Sequence, residues 1–179
     1  MIKIIIVGAD TDIATHVAKG LLKADDNMII APVFNTLLEM RNHNGDILYY
    51  MSNEEVELSY KNNAFMWVLT KDHYSLGVTK LDMYTSNIFT MSFPEFNNMA
   101  NPILDELNND DFFIVVLDDS HTKKNRCDIN DAKNSFERIY NNHYLYFLNE
   151  SPEKCIEVIL KYIIASAEER KNIEESLNS

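Results

Sequence analysis

The chain has 179 residues, 46% of them hydrophobic, which is enough for a sizeable core in one domain of ordinary size. Its formal net charge of -12 excludes the broad basic footprint that non-specific binding to DNA, RNA or an anionic membrane requires. A basic partner, or no charged partner, fits that balance.

Two cysteines, Cys127 and Cys155, lie in separate segments without CxxC spacing or a nearby histidine pair. Neither a disulfide framework nor a zinc site is indicated, and a reduced, cytoplasmic setting is expected. The apolar opening "MIKIIIVGA" is cut short by Gly8 and Asp10, too soon for a signal peptide or a membrane span. With only 4 Gly, 4 Pro and no repeat, no linker divides the chain.

In chain order, Ile2 to Val7 is a short apolar run rich in β-branched residues, as expected of a strand buried on both faces of a parallel sheet. A helix pattern follows over Ala14 to Lys23. "DILYYMS" and "FMWVLT" then read as paired strands flanking a helix over Asn53 to Asn63, whose start carries the capping sequence "SNEE". Strand Asn87 to Phe93, helix Pro94 to Leu107 and strand Phe112 to Leu117 come next. Helix Ile129 to Asn142, strand Tyr144 to Leu148 and helix Pro152 to Glu168 complete the series. This alternation predicts a doubly wound, largely parallel α/β sheet. The segment from Asp46 to Val78 breaks the rhythm as a smaller α/β insertion overhanging the sheet's carboxyl edge, where open α/β sheets place ligands.

The turn after the first strand, "GADTDIAT" from Gly8 to Thr15, has the layout of a phosphate-binding loop. A working loop reads GxxxxGK followed by Ser or Thr: glycines turn backbone N–H groups inward, lysine reaches the terminal phosphates, and the hydroxyl holds magnesium. Gly8 and Thr15 are present, but Ile13 replaces the second glycine and Ala14 the lysine. Asp10 and Asp12 would repel a polyphosphate. The turn is therefore either a weak anion site at a helix N-terminus near residue 14, or a plain strand-to-helix turn capped by Asp12.

Further along, "NGDILYYMSNEEVELSYKNNAFMWVLTKDHYSLGVTKLDM" resembles the guanylate kinase family, whose stretch reads approximately NGxDYxFVSxEEFxxxIxxNxFxExxxxxGxxYGTSxxxV. Gly45, Ser52, Glu54, Glu55, Asn63, Phe65, Gly77 and Lys80 fall on typical family residues without a gap. "DDFFIVVLDDS", "INDAKNSFERI" and "HYLYFLNESPEKCIEVILKYI" look like the family's strand into the lid, the helix returning from it, and the final strand and helix.

The resemblance implies a P-loop nucleoside monophosphate kinase fold: a core of about 1–32 and 84–179, a GMP-binding-like subdomain of about 33–83, and a short lid of about 120–131. It also shows which family chemistry is replaced. The acid that reads guanine becomes Trp67, the phosphate-contacting tyrosine of "DY" becomes Leu48, and the tyrosine and threonine of "YGT" become Leu76 and Val78. The acceptor arginines fall on Thr36 and Glu39, with Arg41 two residues off, and the acid ending the strand after the insertion becomes Ser92. Arg138, Arg126 and Asn149 remain as matches to lid arginines and to the asparagine near the adenine; equally they are surface arginines and a helix-capping asparagine.

Leu48, Tyr50, Trp67, Leu76 and Val78 would line an apolar cleft suited to a partner, or pack as core. Phosphoryl transfer relies on a lysine, arginines and a metal. The expected function is thus a guanylate-kinase-like fold without kinase activity, a binding or regulatory module for a protein or for a ligand other than GMP, without cofactor. One alternative is an active kinase of altered specificity that stacks a base on Trp67, holds phosphates with Arg41, Arg126 and Arg138, and uses ATP and magnesium; Lys80 or Lys123 could then stand in for the missing lysine. A remoter one is an acidic inhibitor that fills a basic groove by mimicking nucleic acid.

Overall fold

The computed structural model describes residues 2–9, 11–37, 48–93, 95–96, 112–118 and 144–177. The apolar run near the N-terminus forms β1 (Lys3–Gly8), which lies between two other strands and therefore has no polar edge to offer water. Its neighbours are β6 (Ile88–Ser92) and β7 (Phe112–Asp118), and β8 (Tyr144–Leu148) follows β7 in the order β6-β1-β7-β8. All three pairings are parallel. An isolated parallel bridge from Ile30 to Ile88 extends the sheet beyond β6. Every residue of β7 is buried, which explains its unbroken apolar sequence.

One face of this sheet is covered by α1 (Thr11–Ala24) and α4 (Pro152–Ile164). Ile4, Ile6, Val115, Leu117, Leu145 and Phe147 point to that side and meet Val17, Leu21 and Ile159. Both helices carry an apolar stripe at 3.6-residue spacing, so burying it against the sheet is what holds them in place. The expected single helix Pro152 to Glu168 is instead broken at Ala165, and α5 (Ala167–Leu177) begins after it. Ser166 and Glu169 cap the new helix reciprocally, at 2.8 Å and 3.4 Å, from the sequence "SAEE". Arg170 on α5 donates to the carbonyls of Tyr162 and Ile163 at 3.0 Å each, satisfying the exposed end of α4.

The alternate residues of the same strands, Ile5, Val7, Ile114 and Val116 among them, face a second four-stranded sheet. It comprises β2 (Val33–Asn35), β3 (Leu48–Tyr50), β4 (Phe65–Lys71) and β5 (Tyr74–Thr79), in the order β3-β2-β5-β4. The two stretches expected to pair with each other, "DILYYMS" and "FMWVLT", occupy opposite edges. β3 runs parallel to β2, and β4 forms an antiparallel hairpin with β5. The hairpin partner is hard to see in the sequence because "YSLGVT" has a glycine at its centre and only Val78 and Thr79 are β-branched. A Cβ at Gly77 would lie 2.3 Å from the Trp67 carbonyl oxygen and 2.8 Å from the Phe34 ring, so no larger residue fits this close approach.

Between β3 and β4 runs α2 (Asn53–Lys61), opened by the capping box of Ser52 and Glu55 that "SNEE" announces. It closes with Asn63 at φ 51°, where Ala64 N–H reaches the Ser59 carbonyl at 2.9 Å and Asn63 N–H that of Tyr60 at 3.0 Å. This is a left-handed helix end, which asparagine tolerates better than most residues. A short helix, α3 (Lys80–Thr85), returns the chain to the parallel sheet, and Lys3 Nζ holds its last carbonyls from Met83 and Ser86 at 2.5 Å and 2.6 Å. The expected helices over 94–107 and 129–142 and the lid lie outside the described residues, residues 95 and 96 excepted, which are helical. No helix among the described residues is long and apolar enough to cross a membrane.

Candidate functional site

The carboxyl ends of the parallel strands bring Gly8, Ser92, Asp118 and the Leu148–Asn149 turn to one edge. Gly8 is in register with Ser92 on one side and Leu117 on the other, and Asp118 with Leu148. The strand order reverses around β1, which makes this edge the topological switch point where open α/β sheets hold ligands.

Directly after β1, α1 begins at Thr11, three residues earlier than expected. Asp12 therefore sits inside the first turn and does not cap the helix. There its charge suits the helix dipole and opposes an incoming anion. Ala14 has no exposed surface and belongs to the core under α1. Thr15 is 5% exposed, and its hydroxyl oxygen is buried without a hydrogen-bond partner. Gly8 is buried at the end of its strand.

Ser92, where the resemblance would place an acid, accepts a 3.4 Å bond from Glu95 N–H, while Glu95 Oε2 accepts from Ser92 N–H at 2.8 Å. The sequence "SFPE" is thus a capping box that sequence reading passed over, and it returns a nearly buried carboxylate to the end of β6. Asp118 was missed as well. It is 7% exposed, accepts from the Tyr146 hydroxyl through Oδ2, and leaves Oδ1 buried without a partner. Burial, then the bond to Asp118, raises the Tyr146 pKa.

Beside this edge lies a cleft of about 240 Å³ between α1, β7, β8 and the start of α4. Its wall is apolar: Ile13, Val17, Leu117, Phe147, Pro152 and Cys155. Asp118, Asn149 and Glu150 complete the lining, so none of the described lining residues is basic. Asn149 has φ 53° and donates its N–H to the Asp118 carbonyl at 2.8 Å. It does not cap α4; Ser151 does, accepting from Lys154 N–H at 3.3 Å. The Cys155 thiol is pushed up to about 12 by burial and then by the charge of Glu150, and stays protonated.

The second group of expected site residues is gathered on the second sheet. Trp67 stands opposite Val78, and Asn35 is flanked by Leu76 and Tyr50. At 5% and 2% exposure, Trp67 and Val78 are core residues packed against the parallel sheet, not an open lining. Leu48 and Leu76 lean on the same cluster half-buried, and Tyr50 is also half-buried. The Thr36 hydroxyl is used within the sheet, accepting from Ser75 N–H at 2.8 Å. Arg41, Arg126 and Arg138 lie outside the described residues. Among the described residues, no group of three or more His, Cys, Asp or Glu side chains is placed to hold a metal ion.

No protein-family model matches the sequence, and no curated protein does. Among solved structures, the guanylate kinase from Anaplasma phagocytophilum superposes with a TM-score of 0.60 at 12% identity, covering 90% of this chain and 84% of that one. The fold is that of a guanylate kinase. The guanylate kinase fold accounts for the mainly parallel four-stranded sheet with its helix directly after β1.

Proposed function

We propose that this protein keeps the guanylate kinase fold without phosphoryl transfer and acts as a binding or regulatory module for a protein partner or a ligand other than GMP. The observation that carries this reading is Ala14: fully buried in the helix turn where the resemblance places the phosphate-binding lysine, it neither supplies a cation nor leaves room for one. Preorganised positive charge is the main catalytic device in phosphoryl transfer, and losing one such group typically costs roughly 10² or more in rate. Asp12 in the first turn and the unpartnered Thr15 hydroxyl, turned into the protein, support the same reading.

The competing reading, a kinase of altered specificity that stacks a base on Trp67, conflicts with the burial of that side chain. Incubation with ATP, magnesium and each nucleoside or deoxynucleoside monophosphate decides between them. No ATP consumption and no thermal shift with ATP and magnesium are expected; turnover with any acceptor would replace this proposal with the kinase. A pull-down at low and moderate salt then separates a salt-sensitive basic partner from one held by apolar contact.

A further inference from the structure

The cleft beside α1, about 240 Å³, is large enough for a single ring, and its described lining carries two carboxylates and no basic group. Its body is hydrocarbon, sulfur and one aromatic ring, from Ile13, Val17, Leu117, Phe147, Pro152 and Cys155. Glu150 supplies a carboxylate to the lining, and Lys154 pairs with it from one helical turn further on without itself lining the cleft. That lysine is 53% exposed on its side chain, so the pair is easily exchanged for another cation. The field of Glu150 reaches the interior: after burial, it is what raises the Cys155 thiol. Asp12 adds negative charge on the exposed first turn of α1.

We infer that this cleft binds a small planar organic cation, its ring against Val17, Phe147 and Cys155 and its charged group at the Glu150 carboxylate. The inference rests on the non-kinase reading, since it assigns to the same edge of the sheet a ligand with no phosphate. Apolar matter leaving water supplies the attraction, while the carboxylate chooses the sign of the charge.

Three probes of one shape test it: benzamidine, benzamide and benzoate, titrated into the full chain and followed by ligand-observed NMR. In parallel, backbone amide shifts of the isotope-labelled full chain report on Val17, Phe147 and Cys155 in the lining. Benzamidine is expected to bind at about 10 mM or tighter, the bound for a nine-atom ligand of modest efficiency. It should bind roughly fivefold or more better than benzoate, as one charge a few ångströms away provides. It should also shift the amide signals of Val17, Phe147 and Cys155. In Glu150→Gln, an exposed substitution compatible with folding, the preference over benzoate should shrink roughly twofold or more, Asp118 on the lining keeping the remainder, while benzamide is unaffected. Equal or tighter binding of benzoate, no binding of any probe, or binding that leaves the signals of Val17, Phe147 and Cys155 unmoved overturns the inference. ATP with magnesium is run in the same assays: saturable ATP binding would instead sink the non-kinase reading, whatever benzamidine does.

Discussion

Tyr146 on β8 donates its hydroxyl to one carboxylate oxygen of Asp118 on β7, and the other oxygen of Asp118 is buried with nothing to accept from. The two strands are parallel neighbours, so this pair ties the end of the sheet together with one bond where two are wanted. Removing the phenol by Tyr146→Phe should leave the whole carboxylate unsatisfied and lower stability by about 1–3 kcal/mol. Tyr146→Phe combined with Asp118→Leu should cost less than the sum of the single changes, because the buried polar group goes with its partner. Urea unfolding of the four proteins of this cycle measures the coupling; strict additivity would show that the bond carries no weight.

Stability should also fall at alkaline pH. Burial raises the pKa of Tyr49, Tyr146 and Tyr162, aided by Asp82, Asp118 and Glu174 respectively, and burial with Glu150 raises Cys155 to about 12. Each group binds its proton more tightly when folded. Its contribution is therefore complete below the unfolded pKa, 9.0 for the thiol and 10.0 for the phenols, and is lost as pH rises from there through the folded value. Denaturant midpoints measured across the alkaline range should begin to drop near the thiol's unfolded pKa. Cys155→Ala should delay that onset, and a midpoint indifferent to pH would contradict the assignment.

Restoring the missing lysine should not restore a kinase. Ala14→Lys would thrust an ammonium into a core that includes Ile6, Leu117 and Phe147, costing on the order of several kcal/mol. The expected variant is markedly less stable, or unfolded, and shows no ATP turnover. A stable, active Ala14→Lys protein would mean that the turn can reopen and that the non-kinase reading is wrong.

Gly77→Ala should be costly for a purely geometric reason. The added methyl group meets main-chain oxygen at 2.3 Å, which cannot rotate away as a side chain could. Overpacking of this kind typically costs about 1–3 kcal/mol, readable as a lower unfolding midpoint. Gly20→Ala is the informative contrast, since its nearest neighbour is the flexible tip of Ile156 and helix propensity favours alanine.

Much of this architecture could be read from residues alone because the signals were local. Continuous apolar runs marked β1 and β7, and "SNEE" marked the start of α2. Most of what escaped depended on partners far along the chain. β5 was not read as a strand, because Gly77 answers to Trp67 and Phe34, not to its neighbours in sequence. The Ser92 and Glu95 capping box and the Asp118–Tyr146 bond escaped for different reasons: the first sat beside Pro94 in a stretch read as strand followed by helix, and the second joins two strands. Burial of Trp67 was open in the sequence, since an aromatic on a strand serves an interface or a core equally well. The packing of one sheet on the other decides it.

The central place of β1 has a consequence for biosynthesis. Ile4 lies beside Ile88 and Phe113, so β1 has no partner in its sheet until two much later segments have emerged from the ribosome. Until then the run "KIIIV" is an unpaired, strongly aggregation-prone ribbon. Successful production in cells should thus depend on holdase chaperones during translation, and slowing elongation before residue 112 should lower the soluble yield.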